Sequence, residues 1–205
     1  MEQKGLLIVI SGFSGAGKGT LVKELVDRYG YSLSISCTTR EPRPGEVDGV
    51  DYHFKTKEEF ERLIDYNGFI EYAQYVENYY GTPRKFVEEE MAAGHNVILE
   101  IEVQGAINIK KQYPDAVTMF ITAPSAEILK SRLYGRGSED EATIDKRMKR
   151  AITEADSMPV YEYIVVNDDL DECVDQVQSI IIAEGSKSKY KESFINEIKD
   201  ELSNM

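Results

Sequence analysis

Apolar residues come in two rhythms along this chain. Compact runs dominated by large aliphatic side chains occur at 6–10 (LLIVI), 97–101 (VILEI), 117–121 (VTMFI) and 163–166 (YIVV). Runs of that length and composition mark strands buried on both faces. Elsewhere the apolar positions recur at helical spacing. Over 18–29, Leu21, Val22, Leu25 and Val26 fall on one side of a helix, and comparable patterns cover 107–113, 125–133, 141–155 and 171–184. Strand–helix–strand alternation predicts an α/β fold, a parallel sheet covered by helices.

Two stretches interrupt that alternation. From Cys37 to Ala93 the chain carries a Pro/Gly/Arg-rich loop at 38–49, then short aromatic strand candidates at 52–54 and 69–75. A small helix is expected over 57–66, with Phe60, Leu63 and Ile64 on one face. This stretch reads as an inserted subdomain with its own mixed sheet. Within it Tyr72, Tyr75 and Tyr79 are candidates for either its core or its site. The second excursion, 125–157, has Gly135 and Gly137 as candidate hinges. The polar tail after Gly185 ends in an amphipathic pattern at Phe194, Ile195, Ile198 and Leu202, a surface helix or a frayed end.

The chain has 205 residues, enough for one domain with insertions and for a core that buries roughly 70% of the unfolded surface. Its formal net charge of −13 argues against a nucleic-acid polymer as partner, since phosphate backbones require a basic face. Small phosphorylated ligands need only a local cationic pocket. The cysteines, Cys37 and Cys173, form no CxxC pair, and with two isolated histidines they give no zinc spacing. No run approaches the ~20 apolar residues of a membrane span, and the N-terminus lacks a leader pattern. A cytoplasmic location with no membrane partner is the expectation.

Between the first strand and the first helix stands Gly12-Phe13-Ser14-Gly15-Ala16-Gly17-Lys18-Gly19-Thr20. Glycines there let backbone N–H groups curl around phosphate oxygens at a helix N-terminus, and Lys18 adds a charge for the β- and γ-phosphates. The spacing is not the GxGxxG of dinucleotide folds. The usual pattern places Ser or Thr directly after the lysine; here Gly19 intervenes and the hydroxyl moves to Thr20. A second feature is the loop around Arg40 and Arg43, two guanidiniums fixed among prolines and glycines, a geometry suited to a phosphate monoester.

From the phosphate loop onward the chain resembles the guanylate kinase family. The resemblance rests on SCTTR (36–40), PRPGE (42–46), GVDYHF (49–54), FIEYAQ (69–74), NYYGT (78–82), ILEIEVQGA (98–106), RLYGRG (132–137) and IVVNDD (164–169) in family order, and extends to about residue 182. It implies a P-loop kinase core built from 1–36, 94–124 and 158–205, a GMP-binding insert at 37–93 and a mobile lid at 125–157. It implies transfer of the γ-phosphoryl group of ATP to GMP, with dGMP as a further acceptor and Mg2+ as cofactor.

The same resemblance implies the site. Gly12 to Thr20 would cradle ATP, with Asn167 and Asp168 near its adenine. Arg40, Arg43, Tyr52 and Tyr80 would grip the acceptor phosphate, while Ser36, Glu71, Thr82 and Glu102 would read guanine. Guanine presents N1–H and an exocyclic amine, both donors to carboxylates. Adenine presents neither pair and leaves a carboxylate unpaired, a difference that can reach about 10⁴–10⁵ in selectivity. Arg132, Arg136 and Arg147 would be the lid arginines, acting with Lys18 in catalysis. Thr20 and Glu100, directly or through water, are the expected metal contacts; the family more often has Asp at 100 and 102. Lys146, Lys149 and Arg150 read as solvated helix charges. Two other readings share part of the pattern. A non-catalytic guanylate-kinase-like module for phosphorylated peptides has no use for Lys18 and the lid arginines. A P-loop kinase with a different acceptor is opposed by the Ser36, Glu71 and Glu102 set.

Overall fold

A computed structural model describes residues 4–75, 77–135 and 140–205. Nine strands and eight α-helices are assigned among them. The strands are β1 (Leu7–Gly12), β2 (Ser32–Leu33), β3 (Cys37–Thr38), β4 (His53–Phe54), β5 (Phe69–Tyr75), β6 (Asn78–Pro83), β7 (Val97–Glu100), β8 (Val117–Thr122) and β9 (Tyr163–Val166). The helices are α1 (Lys18–Tyr29), α2 (Lys57–Asp65), α3 (Arg84–Ala92), α4 (Val103–Gln112), α5 (Ala126–Gly135), α6 (Glu141–Ala155), α7 (Leu170–Gly185) and α8 (Glu192–Ser203).

The main sheet runs β2-β7-β1-β8-β9, every neighbouring pair parallel. β1 lies at its centre, and Leu7 to Ile10 are at most 3% exposed. That burial is why the run carries no polar alternation, and each such side chain stabilises the fold by about 1.5–3 kcal/mol. Helices flank the sheet: α1 packs with α7, and α4 packs on β1 while also touching β5. α1 ends at Gly30, whose left-handed backbone (φ 69°) lets its N–H reach the Val26 carbonyl. The α/β parallel architecture expected from the hydrophobic pattern is the one observed.

A second sheet, β4-β3-β6-β5, is mixed: β3 and β4 are parallel, and β6 runs antiparallel to β3 and β5. Its small core is Cys37, Phe60 and Phe69, with Tyr79 packed against it. Phe60 stacks on Phe69 at 4.4 Å and on Tyr79 at 5.3 Å between ring centroids. Tyr79 is therefore a core residue of this sheet, whereas Tyr72 is 45% exposed. α2 begins with a capping box in which the Thr56 hydroxyl accepts from the Glu59 N–H and the Glu59 carboxylate accepts from the Thr56 N–H. Ile70 and Val87 pack into the main core, tying this sheet to the parallel one.

Several elements have no counterpart in the hydrophobic pattern. β2 is too short to show a period. β6 includes Gly81 and Pro83, which disguise a strand. α3 buries only Val87, so its apolar stripe is a single residue. α4 begins at Val103, before the expected 107, because Gly105 and Ala106 lie close against neighbouring structure without a large apolar side chain. The tail does form a helix, α8, with Phe194, Ile198 and Leu202 exposed. No helix among the described residues is long and apolar enough to cross a membrane.

Candidate active site

The loop joining β1 to α1 is shaped by backbone that excludes side chains. At Gly12 (φ 146°) a Cβ would lie 2.0 Å from the Ile121 carbonyl oxygen. At Gly17, the left-handed N-cap of α1 (φ 88°), a Cβ would lie 2.5 Å from Nδ2 of Asn167. No side chain caps the first turn of α1. The helix thus offers its N-terminal N–H groups and its positive dipole end to an anion. Lys18 bends back over the loop, its Nζ donating to the carbonyls of Gly12 at 2.8 Å and Phe13 at 3.1 Å.

Three side chains from distant parts of the chain brace this loop. Asn167, buried after β9, donates from Nδ2 to the Ala16 carbonyl at 2.8 Å. Its amide is committed to the loop itself, a supporting position that the sequence did not reveal. Arg132 on α5 donates to the carbonyls of Asn167 at 2.8 Å and Asp168 at 3.3 Å. Arg147 on α6 donates to the Ser14 hydroxyl. Arg136 lies outside the described residues.

The mixed sheet carries most of the acceptor-side candidates. Arg40 is forked onto Glu46, with Nη2 at 2.8 and 2.9 Å from its two carboxylate oxygens, and Nη1 donates to the Glu41 carbonyl at 2.6 Å. Its guanidinium also stands 5.4 Å from the Tyr52 ring centre. Burial disfavours the Arg40 charge, but Glu46 outweighs it and holds the pKa above the ordinary value. The Arg43 side chain is exposed while its N–H donates to Glu46 at 2.7 Å, so one carboxylate ties both ends of the arginine loop. Tyr52 and Tyr80 meet edge to face at 6.1 Å, and burial pushes the Tyr52 hydroxyl up to about 12. Nearby Cys37 is buried and its thiol is pushed up to about 11 by that burial, which makes it a poor nucleophile.

Glu71 and Thr82 face each other across β5 and β6, and the Thr82 hydroxyl donates to the Glu71 carboxylate at 2.8 Å. Glu71 is 7% exposed, and burial raises its carboxyl to about 7. α4 approaches so closely here that a Cβ on Gly105 would sit 2.8 Å from a Glu71 oxygen. Glu102 sits at the N-cap position of α4 without a side-chain capping bond and accepts from Arg150 of α6 at 2.9 Å. Ser36 precedes β3, its carbonyl accepting from the His53 N–H at 2.9 Å. Lys146 and Lys149 are exposed, as expected, but Arg150 is not a solvated charge. It is paired with Glu154 one turn further along α6 and with Glu102, 48 residues away in sequence, and this second contact is one that helical periodicity cannot reveal.

Glu100 ends β7 at the carboxyl edge of the sheet, the edge where open α/β sheets take their ligands. Its carboxylate stands 3.8 Å from where a Cβ on Gly19 would be, so it faces the first turn of α1, one residue before the exposed Thr20. The donors on offer are oxygens alone, a carboxylate and a hydroxyl. No cluster of three or more acidic, His or Cys side chains stands among the described residues. That set fits a hard cation such as Mg2+, which keeps several waters and takes its other oxygens from a bound phosphate.

A parallel sheet with a glycine loop and lysine at the start of its first helix, braced by arginines from a neighbouring helical pair, defines a P-loop nucleotide kinase. The family model described as guanylate kinase matches residues 4–184. A guanylate kinase from Oceanobacillus iheyensis is 50% identical over 188 residues, covering 91% of each chain. One from Caldanaerobacter subterraneus subsp. tengcongensis is 46% identical over 98% of each. The crystal structure of guanylate kinase from Anaplasma phagocytophilum superposes with a TM-score of 0.76 at 33% identity, covering 91% of this chain and 89% of that one. The chain belongs to the guanylate kinase family.

Proposed function

We propose that this chain transfers the γ-phosphoryl group of ATP to GMP, giving ADP and GDP, with dGMP as a second acceptor. The observation that carries this reading is the meeting of two unlike sites in one chain. A backbone-built phosphate cradle with Lys18 stands at the start of α1, and the second sheet of the same chain holds a buried Glu71–Thr82 pair against α4. The first suits the triphosphate. The second supplies acceptors for a base that presents donors.

The acceptor phosphate is already anionic at neutral pH, so the attack needs no strong general base. The protein's task is positioning and charge neutralisation. Lys18 leaves the Gly12 and Phe13 carbonyls for the β- and γ-phosphate oxygens, while Arg132, Arg136 and Arg147 act from the lid side. Asn167 contributes by holding the loop's shape. Arg40, Arg43, Tyr52 and Tyr80 take the acceptor phosphate, which displaces Glu46 from Arg40. Ser36, Glu71, Thr82 and Glu102 read guanine. Glu100 and Thr20 would hold Mg2+, directly or through water, where it supplies charge neutralisation at the phosphates. Swinging of the insert and of the 125–157 segment over both substrates would exclude water as a competing acceptor.

The test is ADP production by the purified protein with ATP, Mg2+ and each of GMP, dGMP, AMP, UMP and CMP. Turnover with GMP far above the others is expected. Equal turnover with AMP would discard the carboxylate pocket as a guanine reader, and nucleotide binding without turnover would overturn the reaction itself.

A further inference from the structure

We propose that Arg150 is a positioning residue that couples reading of the acceptor base to seating of α6 on the phosphate loop. This rests on the acceptor assignment made above. Arg147 and Arg150 stand three places apart on α6 and so share a face of that helix. Arg147 donates to Ser14 in the phosphate loop, while Nη2 of Arg150 donates to Glu102 at 2.9 Å. One helix face thus touches both substrate sites through two arginines.

The Arg150 guanidinium is held in place from behind. Its Nε donates to Glu154, whose side chain is only 11% exposed, whereas Glu102 is 57% exposed. The Glu154 side of the fork is therefore the fixed one, and Glu102 is the group being steered. With one carboxylate oxygen held by Nη2, Glu102 presents the other in a set direction to a donor-bearing base, which removes part of the ordering cost of binding. Once guanine engages that oxygen, the same contact favours the α6 position in which Arg147 reaches the loop. Base reading and ATP-site closure are then linked through a rigid helix. A lysine keeps the charge but cannot span both carboxylates with a planar fork.

Steady-state kinetics with each substrate varied would test this on the wild type, Arg150→Met, Arg150→Lys, Glu102→Gln and the Arg150→Met/Glu102→Gln double variant. Thermal unfolding of each would report folding. Arg150→Met should raise the GMP KM about tenfold, the loss of one charge-assisted contact, while kcat moves far less. Arg150→Lys should recover only part of it. Adding Arg150→Met to Glu102→Gln should cost little more, because both remove one contact. GMP should tighten nucleotide binding at the ATP site in the wild type and not in Arg150→Met. A GMP KM unchanged in both Arg150 variants, or losses that multiply in the double variant, would overturn the proposal while GMP turnover by the wild type leaves the reaction standing. A wild type inactive toward GMP would overturn both. If Arg150→Met unfolds, Arg150→Lys and the double cycle built on it decide.

Discussion

On the function proposed above, the donor and acceptor sites solve the same problem, holding a phosphate, with opposite materials. The loop before α1 uses backbone: glycines at positions no side chain can occupy, an uncapped helix end and one lysine. The mixed sheet uses side chains: Arg40 on Glu46, Tyr52 against Tyr80, Thr82 on Glu71. A backbone cradle accepts any polyphosphate and is intolerant of substitution. A side-chain pocket can be graded, because each contact can be removed separately, and its discrimination comes from the acceptors it would leave unpaired.

The harshest way to break this contrast is Gly12→Ala. The new methyl would meet the Ile121 carbonyl at 2.0 Å, backbone against backbone, with no flexible atom to yield. The expected loss is at least about 3 kcal/mol of unfolding free energy, a large share of the roughly 5–15 kcal/mol typical of a domain. Urea titration by circular dichroism checks it, and a parent-like midpoint would mean that the loop is more plastic than its geometry implies. Next in size is Lys18→Ala, whose side chain hydrogen-bonds only to loop carbonyls among the bonds described. A folded protein with turnover lowered by about 10²–10³ is expected, since in the proposed mechanism the lysine acts on charge developing in the transition state. Near-wild-type turnover would sink the mechanism.

Arg40→Ala moves the contrast to the other site. It should raise the GMP KM by about 10- to 100-fold and leave the ATP KM within about twofold, because the proposed guanidinium–phosphate contact would be lost while the β1–α1 loop is untouched. An equal rise in both KM values would show that the two sites are not separable in this way.

The same contrast decides what could be read before the fold was known. The LLIVI strand and the glycine loop were legible because backbone-built features write themselves into consecutive residues. Arg40 stood out by its Pro/Gly-rich loop, whereas Tyr52, Glu71 and Thr82 were named only through family resemblance; nothing in their local pattern says that β5 and β6 bring Glu71 opposite Thr82. The bonds from Asn167, named at the ATP site, to the loop and from Arg150 to Glu102 were not foreseen for that reason: each acts on a partner far away in sequence. α3 was missed for a different one, since a helix that buries one residue leaves almost no periodic signal.

The smallest effect is also the one that separates stability from selectivity. Burial holds the Glu71 carboxyl at about 7, although the Thr82 hydroxyl pulls it down by favouring the anion. An unfolded glutamate titrates near ~4.3, so between there and 7 the folded protein binds the extra proton. The stabilisation that proton brings is fully present below ~4.3 and is lost as pH rises through 7. Glu71→Gln cannot ionise and escapes that loss. It should exceed the parent in unfolding free energy by about 1–3 kcal/mol at pH 8, with the gap narrowing toward pH 5. At the same time its preference for GMP should fall about tenfold, because the amide turns one acceptor into a donor facing guanine's own donors. Urea unfolding at the two pH values, paired with GMP and AMP kinetics, reads both quantities. A variant that is stabilised yet fully GMP-selective would leave Glu71 buried for packing alone and shift base reading to Ser36 and Glu102. A variant that loses selectivity without gaining stability would mean that the carboxylate stays solvated through the opening that admits the base.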